Sequence, residues 1–319
     1  MLSRRSFLAA SAASAAAVAL TPRLFAADDK KAPPFKISLA QWSYHKAFFS
    51  KKDDEKKDPL KFAEIAKKDH GIEAVEYVNQ FYASKKKDEA YLKDLKKVAD
   101  DQGVRSVLIM CDGEGDLGNP DDKKRQTAVD NHVRWIEWAK FLGCHSIRVN
   151  AASDWKKGFE ETQKLAADGL RKLCEIGDKH EINVIVENHG GLSSHGKWLA
   201  GVMKKIDHKR AGTLPDFGNF VVGKIEGVEG LKDGQYDRYT GGDELMPYAK
   251  GASAKTYDFD DKGNETKIDY RKMMEIVCKK HKYSGFVGIE YEGGRLSEAD
   301  GVKATKKLLE TIRDEMSKG

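Results

Sequence analysis

Short apolar runs and helix-spaced apolar positions alternate along this chain from about residue 36 to its end. The runs predict strands at Ile37–Trp42, Ala74–Val78, Ser106–Met110, Ser146–Asn150, Asn183–Glu187, Gly212–Asp216, Ala252–Lys255 and Phe286–Glu290. Their starts stand roughly 30 to 40 residues apart, the spacing of a strand–helix unit. Helical faces fall between them. Val129, Val133, Ile136, Ala139, Phe141 and Leu142 line one; Leu165, Gly169, Leu170, Leu173 and Ile176 line another. Gly71, Gly103 and Gly143 stand where a helix must end in a left-handed cap before the next strand. Eight such units predict a single (β/α)8 TIM barrel of the α/β class over residues 35–316. A doubly wound sheet would want a glycine-rich turn after the first strand, and Gln41-Trp42-Ser43-Tyr44-His45 contains no glycine. Val222–Leu245, rich in Gly, Asp and Lys, is expected as an extended loop after the sixth strand. Lys51–Lys57 is expected as a solvated face.

Residues 1–27 differ from the rest. Ser3-Arg4-Arg5-Ser6-Phe7-Leu8 is followed by an alanine-rich apolar run to Leu20 and a small-residue end at Ala26-Ala27. The run is too short and too alanine-rich for a comfortable membrane span. The paired arginines resemble a twin-arginine export signal; an ordinary general-export signal is the alternative. The expectation is a signal peptide over 1–27, a linker over 28–34, and a periplasmic mature protein with no stable membrane span. Losing Arg4, Arg5 and Arg23 lowers the net charge from +5 to +2, which gives no reason to expect nucleic acid as a partner. Four widely spaced cysteines among 319 residues exclude a disulfide scaffold.

In a barrel the chemistry stands at the C-terminal ends of the strands. Three of those ends are acidic after an apolar run: Glu187, Asp216 and Glu290. Burying one such carboxylate costs several kcal/mol unless something offsets it. Three at one mouth repel one another, and a divalent cation is the simplest remedy. Each also has a plainer role: a salt-bridged strand end for Glu187, an Asx turn for Asp216, a solvated loop carboxylate for Glu290. Trp42, His45, Glu76, His189 and Lys255 are the further candidates, as substrate contacts. Glu292 is expected to be exposed.

Taken together, Ala40-Gln41-Trp42-Ser43, Val75-Glu76-Tyr77-Val78-Asn79-Gln80-Phe81, Val186-Glu187-Asn188-His189-Gly190-Gly191, Pro215-Asp216-Phe217-Gly218-Asn219, Ala252-Ser253-Ala254-Lys255 and Ile289-Glu290-Tyr291-Glu292-Gly293 carry a resemblance. The chain resembles the xylose isomerase-like TIM barrels, the sugar phosphate isomerase/epimerase superfamily, over about residues 35–315. It is similar in particular to exported bacterial members with twin-arginine leaders. The resemblance implies a metal held by Glu187, Asp216 and Glu290, with Mn2+ or Mg2+ favoured and Zn2+ the alternative. The family's further ligands depart here: its seventh-strand His-x-Lys is Ser253-Ala254-Lys255, and a His three residues after the Asp is Asn219.

The resemblance further implies proton abstraction beside a carbonyl, with Glu187 and Glu290 as acid and base on a small sugar or keto-sugar. That is a sugar isomerase or epimerase. Two alternatives stay open: a keto-glycoside lyase or hydrolase on the same barrel, and a non-catalytic carbohydrate-binding barrel. Homo-oligomers are common among such barrels, but no exposed apolar stripe picks out an interface.

Overall fold

The computed structural model describes residues 33–318. The signal expected over 1–27, and all of the linker except Pro33 and Pro34, lie outside the described residues. Eight parallel strands form one sheet: β1 Lys36–Ala40, β2 Ala74–Val78, β3 Arg105–Met110, β4 Ser146–Val149, β5 Asn183–Glu187, β6 Ala211–Leu214, β7 Ala252–Thr256 and β8 Phe286–Tyr291. Their order is β6-β5-β4-β3-β2-β1-β8-β7. The ring closes between β6 and β7 through isolated bridges, Thr213 with Ala249 and Asp216 with Ser253. There Lys250 N donates to Thr213 O at 3.0 Å and Ser253 N to Pro215 O at 2.9 Å. The architecture is the single TIM barrel that the alternation predicts.

The helices are α1 His45–Phe49, α2 Phe62–His70, α3 Glu89–Asp101, α4 Asp122–Leu142, α5 Phe159–His180, α6 Gly196–Ile206, α7 Arg238–Leu245, α8 Tyr270–Met274 and α9 Glu298–Lys318. Their starts follow ordinary capping chemistry. Asp88, Asp121 and Asp269 each accept a backbone N–H from the first turn of α3, α4 and α8, satisfying donors the helix itself leaves open. α2 and α4 end on Gly71 and Gly143, both left-handed with φ of 62° and 81°. Among the described residues no helix is long and apolar enough to cross a membrane.

Val222–Leu245 departs from its expected loop. It contains a short antiparallel hairpin, Leu231–Lys232 with Gln235–Tyr236, and then α7, capped by Asp237. The glycines there serve close packing. A Cβ on Gly241 would stand 2.2 Å from the Phe220 ring, and one on Gly242 would stand 3.1 Å from Met273 Sδ. The Lys51–Lys57 run is exposed over most of its length, as expected.

The barrel interior is divided. Ala40, Ala74, Val78, Val107, Leu108, Met110, Ile185 and Leu214 form an inner apolar cluster, on which Trp42 and Phe81 pack. At the mouth the charged side chains stand on β4 to β8; one layer down, β2 adds the buried Glu76. A second, larger apolar shell lies between strands and helices, and includes Leu39, Tyr77, Trp135, Trp138, Leu170 and Trp198. This shell holds the strand ends in register, and their side chains meet at the barrel mouth.

Candidate active site

Strand alternation sends every second residue inward, so β7 offers Ser253 and Lys255 and β8 offers Gly288 and Glu290. β5 ends inward on Glu187, and Asp216 follows β6. All three acids are buried, and each places one oxygen within 4.8 Å of the others.

Each carboxylate is held differently. Asp216 Oδ1 accepts the backbone N–H groups of Gly218 and Asn219, both at 2.8 Å, which is the Asx turn weighed above. Its Oδ2 faces Ser253 Oγ at 2.7 Å. The same hydroxyl stands 2.9 Å from Glu290 Oε2. A serine has one proton to donate, so it serves one of these acids at a time. Lys255 Nζ donates to Glu290 Oε1 at 2.9 Å and lies 3.2 Å from Glu292 Oε2 and 3.8 Å from Asp216 Oδ2. Asn219 Nδ2 donates to Glu187 Oε1 at 2.9 Å. Asn188 ties the end of β5 to the β6 turn. Its Nδ2 donates to Asp216 O at 2.9 Å, and its Oδ1 accepts from Asp216 N at 2.7 Å.

Arg148, inside β4, is the second internal cation. Its Nη1 donates to Asp112 Oδ1 at 2.6 Å, which also accepts from Asn150 Nδ2 at 2.7 Å. Nε stands 2.7 Å from Glu187 Oε2, yet the two are misaligned and neither atom has a hydrogen-bond partner. They attract as charges only. This orphaned, buried carboxylate oxygen belongs to the acidic triad, and oxygen donors at this spacing suit a divalent cation. The residues fit a metal.

The electrostatics follow from burial and these partners. Burial pushes Glu187 up to about 7 against the pull of Arg148, and nearby Glu290 pushes it the same way. Burial also pushes Asp216 up to about 7, opposed by Lys255 and helped by the other two acids. Glu290 goes the other way. Burial alone would raise it, but the charge and hydrogen bond of Lys255 hold it below the usual carboxylate range. Lys255 remains an ammonium because the attraction of Glu290 and Asp216 outweighs its own desolvation.

The remaining sequence candidates lie around this cluster. Trp42 stands on a 3-10 turn, Gln41–Tyr44, half-buried at the rim, and its indole N–H donates to Glu292 Oε1. His45 stacks on Trp42 at 5.0 Å, with Nδ1 2.8 Å from the Trp42 carbonyl. The turn is tied to the neighbouring β8 unit: Glu298, at the start of α9, accepts the Lys46 and Ala47 backbone N–H groups at 2.7 and 3.1 Å. His189 is exposed, beyond the end of β5. Glu76 sits mid-strand on β2, fully buried. It accepts from Ser38 Oγ at 2.6 Å and stands where a Cβ on Gly288 would meet both its oxygens at 2.6 Å. Gly288 is two residues below Glu290 on the inward face of β8, so Glu76 lies one layer under the triad. Burial raises its carboxyl to about 8.

Sequence reasoning missed Arg148, Asp112 and the bridging position of Ser253. Glu292, expected to be exposed, is half-buried between Trp42 and Lys255. The available signal was Ser-Ile-Arg148-Val-Asn150, where Arg148 shares a strand face with Asn150 at a strand end.

Solved structures with the same fold cover nearly the whole described chain. The 3-keto-D-glucoside 4-epimerase of E. coli superposes with a TM-score of 0.65 at 16% identity, over 87% of this chain and 99% of that one. A D-tagatose 3-epimerase-like protein gives 0.66 at 18%, over 88% and 100%. A xylose isomerase-like TIM barrel protein from Mycobacterium smegmatis in complex with magnesium gives 0.62 at 14%, over 88% and 97%. At such identities the likeness is one of fold. No curated protein matches the sequence. The family model described as xylose isomerase-like TIM barrel matches residues 64–315, and the chain belongs to that family.

Proposed function

We propose that this barrel is a sugar isomerase or epimerase that moves a proton on a carbon beside a carbonyl. The observation that carries the reading is the pair Glu187 and Glu290. These buried glutamates come from β5 and β8, three strands apart in the ring, and each has its own internal cation. Glu290, paired with Lys255, is suited to be the ionised base, and Glu187, held toward its acid form, to be the proton donor. In one turnover a Glu290 oxygen takes the proton from one face of the carbon. Glu187 returns a proton to the other face, inverting the centre. The reverse reaction exchanges the roles. Lys255 and Arg148 oppose the negative charge that spreads onto the substrate oxygens. Asn188 and Ser253 hold the strand ends so that the acids keep their positions.

Glu187, Asp216 and Glu290 would hold a divalent metal, Mn2+ or Mg2+ by the hardness of an all-oxygen set, with Zn2+ a weaker fit. When bound, such an ion supplies Lewis-acid polarisation of a carbonyl oxygen. Trp42, His45 and His189 are assigned to substrate contact at the rim. The twin-arginine-like leader assigns the protein to the periplasm, where free or oxidised sugars are the fitting substrates.

Purified mature protein carrying near-stoichiometric metal, lowered by Glu187→Gln, and incorporating solvent deuterium beside the carbonyl of a keto-sugar without cleavage, would support the reading. Cleavage of a keto-glycoside would move it to a lyase. Sugar binding with no deuterium exchange at any metal loading would overturn it in favour of a binding barrel.

A further inference from the structure

An aromatic strip leaves the mouth over the ends of β1 and β2, starting beside Glu292. Trp42 and Phe81 pack on the apolar half of the interior, and their rings lie 6.2 Å apart at 28°. Phe49 continues the strip, 6.1 Å from Trp42 and 4.8 Å from Phe81. It is 52% exposed, high for a phenylalanine. Phe49 and Phe81 then form one wall of a 510 Å3 groove between the segments that follow β1 and β2. That volume is within the range of small-molecule sites.

The groove pairs an aromatic floor, Phe48, Phe49, Phe81 and Tyr91, with a hydrogen-bonding rim. On the rim, the side chains of Asp53, Lys56, Gln80 and Ser84 make no hydrogen bond or ion pair with the described residues. Lys85 pairs with Asp88, and the two other lining lysines, Lys56 and Lys57, are equalled in number by Asp53 and Asp58, so the groove carries no net charge that would select an anion. A flat apolar ring face for stacking and scattered hydroxyl partners for hydrogen bonds are what a neutral pyranose ring offers.

We infer that this groove is a second sugar subsite, so that the substrate class is a glycoside of at least two rings, one at the acids and the next on Phe49 and Phe81. The inference rests on the carbohydrate reading of the mouth. The strip supplies the continuity. From Glu290 the contacts run through Lys255 and Glu292 to the Trp42 indole, and from Trp42 to Phe49 and Phe81 at the groove.

The test titrates the mature protein, by calorimetry and saturation-transfer NMR, with the 3-keto derivatives of methyl β-glucoside and of cellobiose, maltose and lactose. The methyl glucoside reports on the mouth alone. The affinity ratio of disaccharide to monosaccharide reports on the groove. At least one disaccharide is expected to bind ten times or more tighter than the methyl glucoside, with saturation transfer to both of its rings. Phe49→Ala, a change at an exposed side chain, should collapse that ratio toward one. Monosaccharide binding with no disaccharide advantage overturns the subsite and leaves the mouth reading standing. No binding of any sugar overturns both. A ratio unchanged by Phe49→Ala overturns the subsite, as does a dimer that Phe49→Ala turns to monomer, which would make the groove a subunit contact.

Discussion

The two halves of the barrel mouth are built on opposite principles. From β4 to β8 the inward positions are charged, and the chain supplies much of its own neutralisation through Lys255, Arg148, Ser253 and Asn219. From β1 to β3 the uppermost inward positions are small or apolar, with Glu76 a layer below, and the rim above them is aromatic. The charged half is costly to fold, because every buried ion loses its hydration and recovers it only through well-placed partners. The apolar half needs no partners and sets shape. On the proposed reading, the difference teaches that proton chemistry and substrate fit are separable, one lodged in each half.

The largest effect should come from the charged half. Glu290→Gln or Glu187→Gln is expected to lower solvent deuterium exchange by about 10²- to 10⁴-fold with the barrel still folded. An exchange rate within twofold of wild type would remove the assignment of chemistry to this half.

Next is Lys255→Met. It strips three carboxylates of their common cation, and about 3–5 kcal/mol of stability should go at pH 8, read from urea unfolding. At pH 5 the loss should shrink, since Asp216 and Glu290 can then be buried as neutral acids. A loss independent of pH would show that Lys255 acts by packing instead.

The layer below the mouth sharpens the contrast. Glu76 has its carboxyl raised to about 8 by burial. An acid with a raised folded value favours the fold most below its unfolded value, near 4.5, and that contribution is lost as pH climbs toward 8. Glu76→Gln should therefore flatten the fall in thermal midpoint between pH 5 and pH 8, leaving the variant relatively more stable at the alkaline end. An unchanged slope would mean that Glu76 is already ionised in the fold.

The smallest effect belongs to the aromatic half. Trp42→Phe keeps a ring and loses the donor to Glu292, and should change stability by about 1 kcal/mol and exchange by only a few-fold. If it matched the glutamate variants, the division between the halves would fail.

The acidic strand ends were legible because a lone carboxylate after Val-Ile-Val or Val-Gly-Ile breaks a local apolar pattern. Arg148 was not, since an alternating Ser-Ile-Arg-Val-Asn looks the same whether its polar face points into a barrel or into water. Ring closure decides that, through residues far away in the chain. Ser253 read as a ligand lost from the family pattern, and only the convergence of β6, β7 and β8 shows it set between two acids. α7 is hidden in the sequence because glycine lowers helix propensity; the contacts that require glycine there, with Phe220 and Met273, lie outside its own segment. His189 and His45 carried no local sign of whether they would be buried or exposed.

The ring is joined between β6 and β7 by isolated bridges rather than a continuous ladder, and one bridge pairs Asp216 with Ser253. The place where the cylinder is sewn shut is thus also a wall of the acidic cluster to which the proposed reaction is assigned. On the proposed reading, heat or mutation that loosened this seam would first be seen as altered metal affinity and proton exchange, while the rest of the sheet still gave the spectrum of a folded barrel. Activity would fade ahead of unfolding, and compensating changes would be found among the residues that hold β6 against β7.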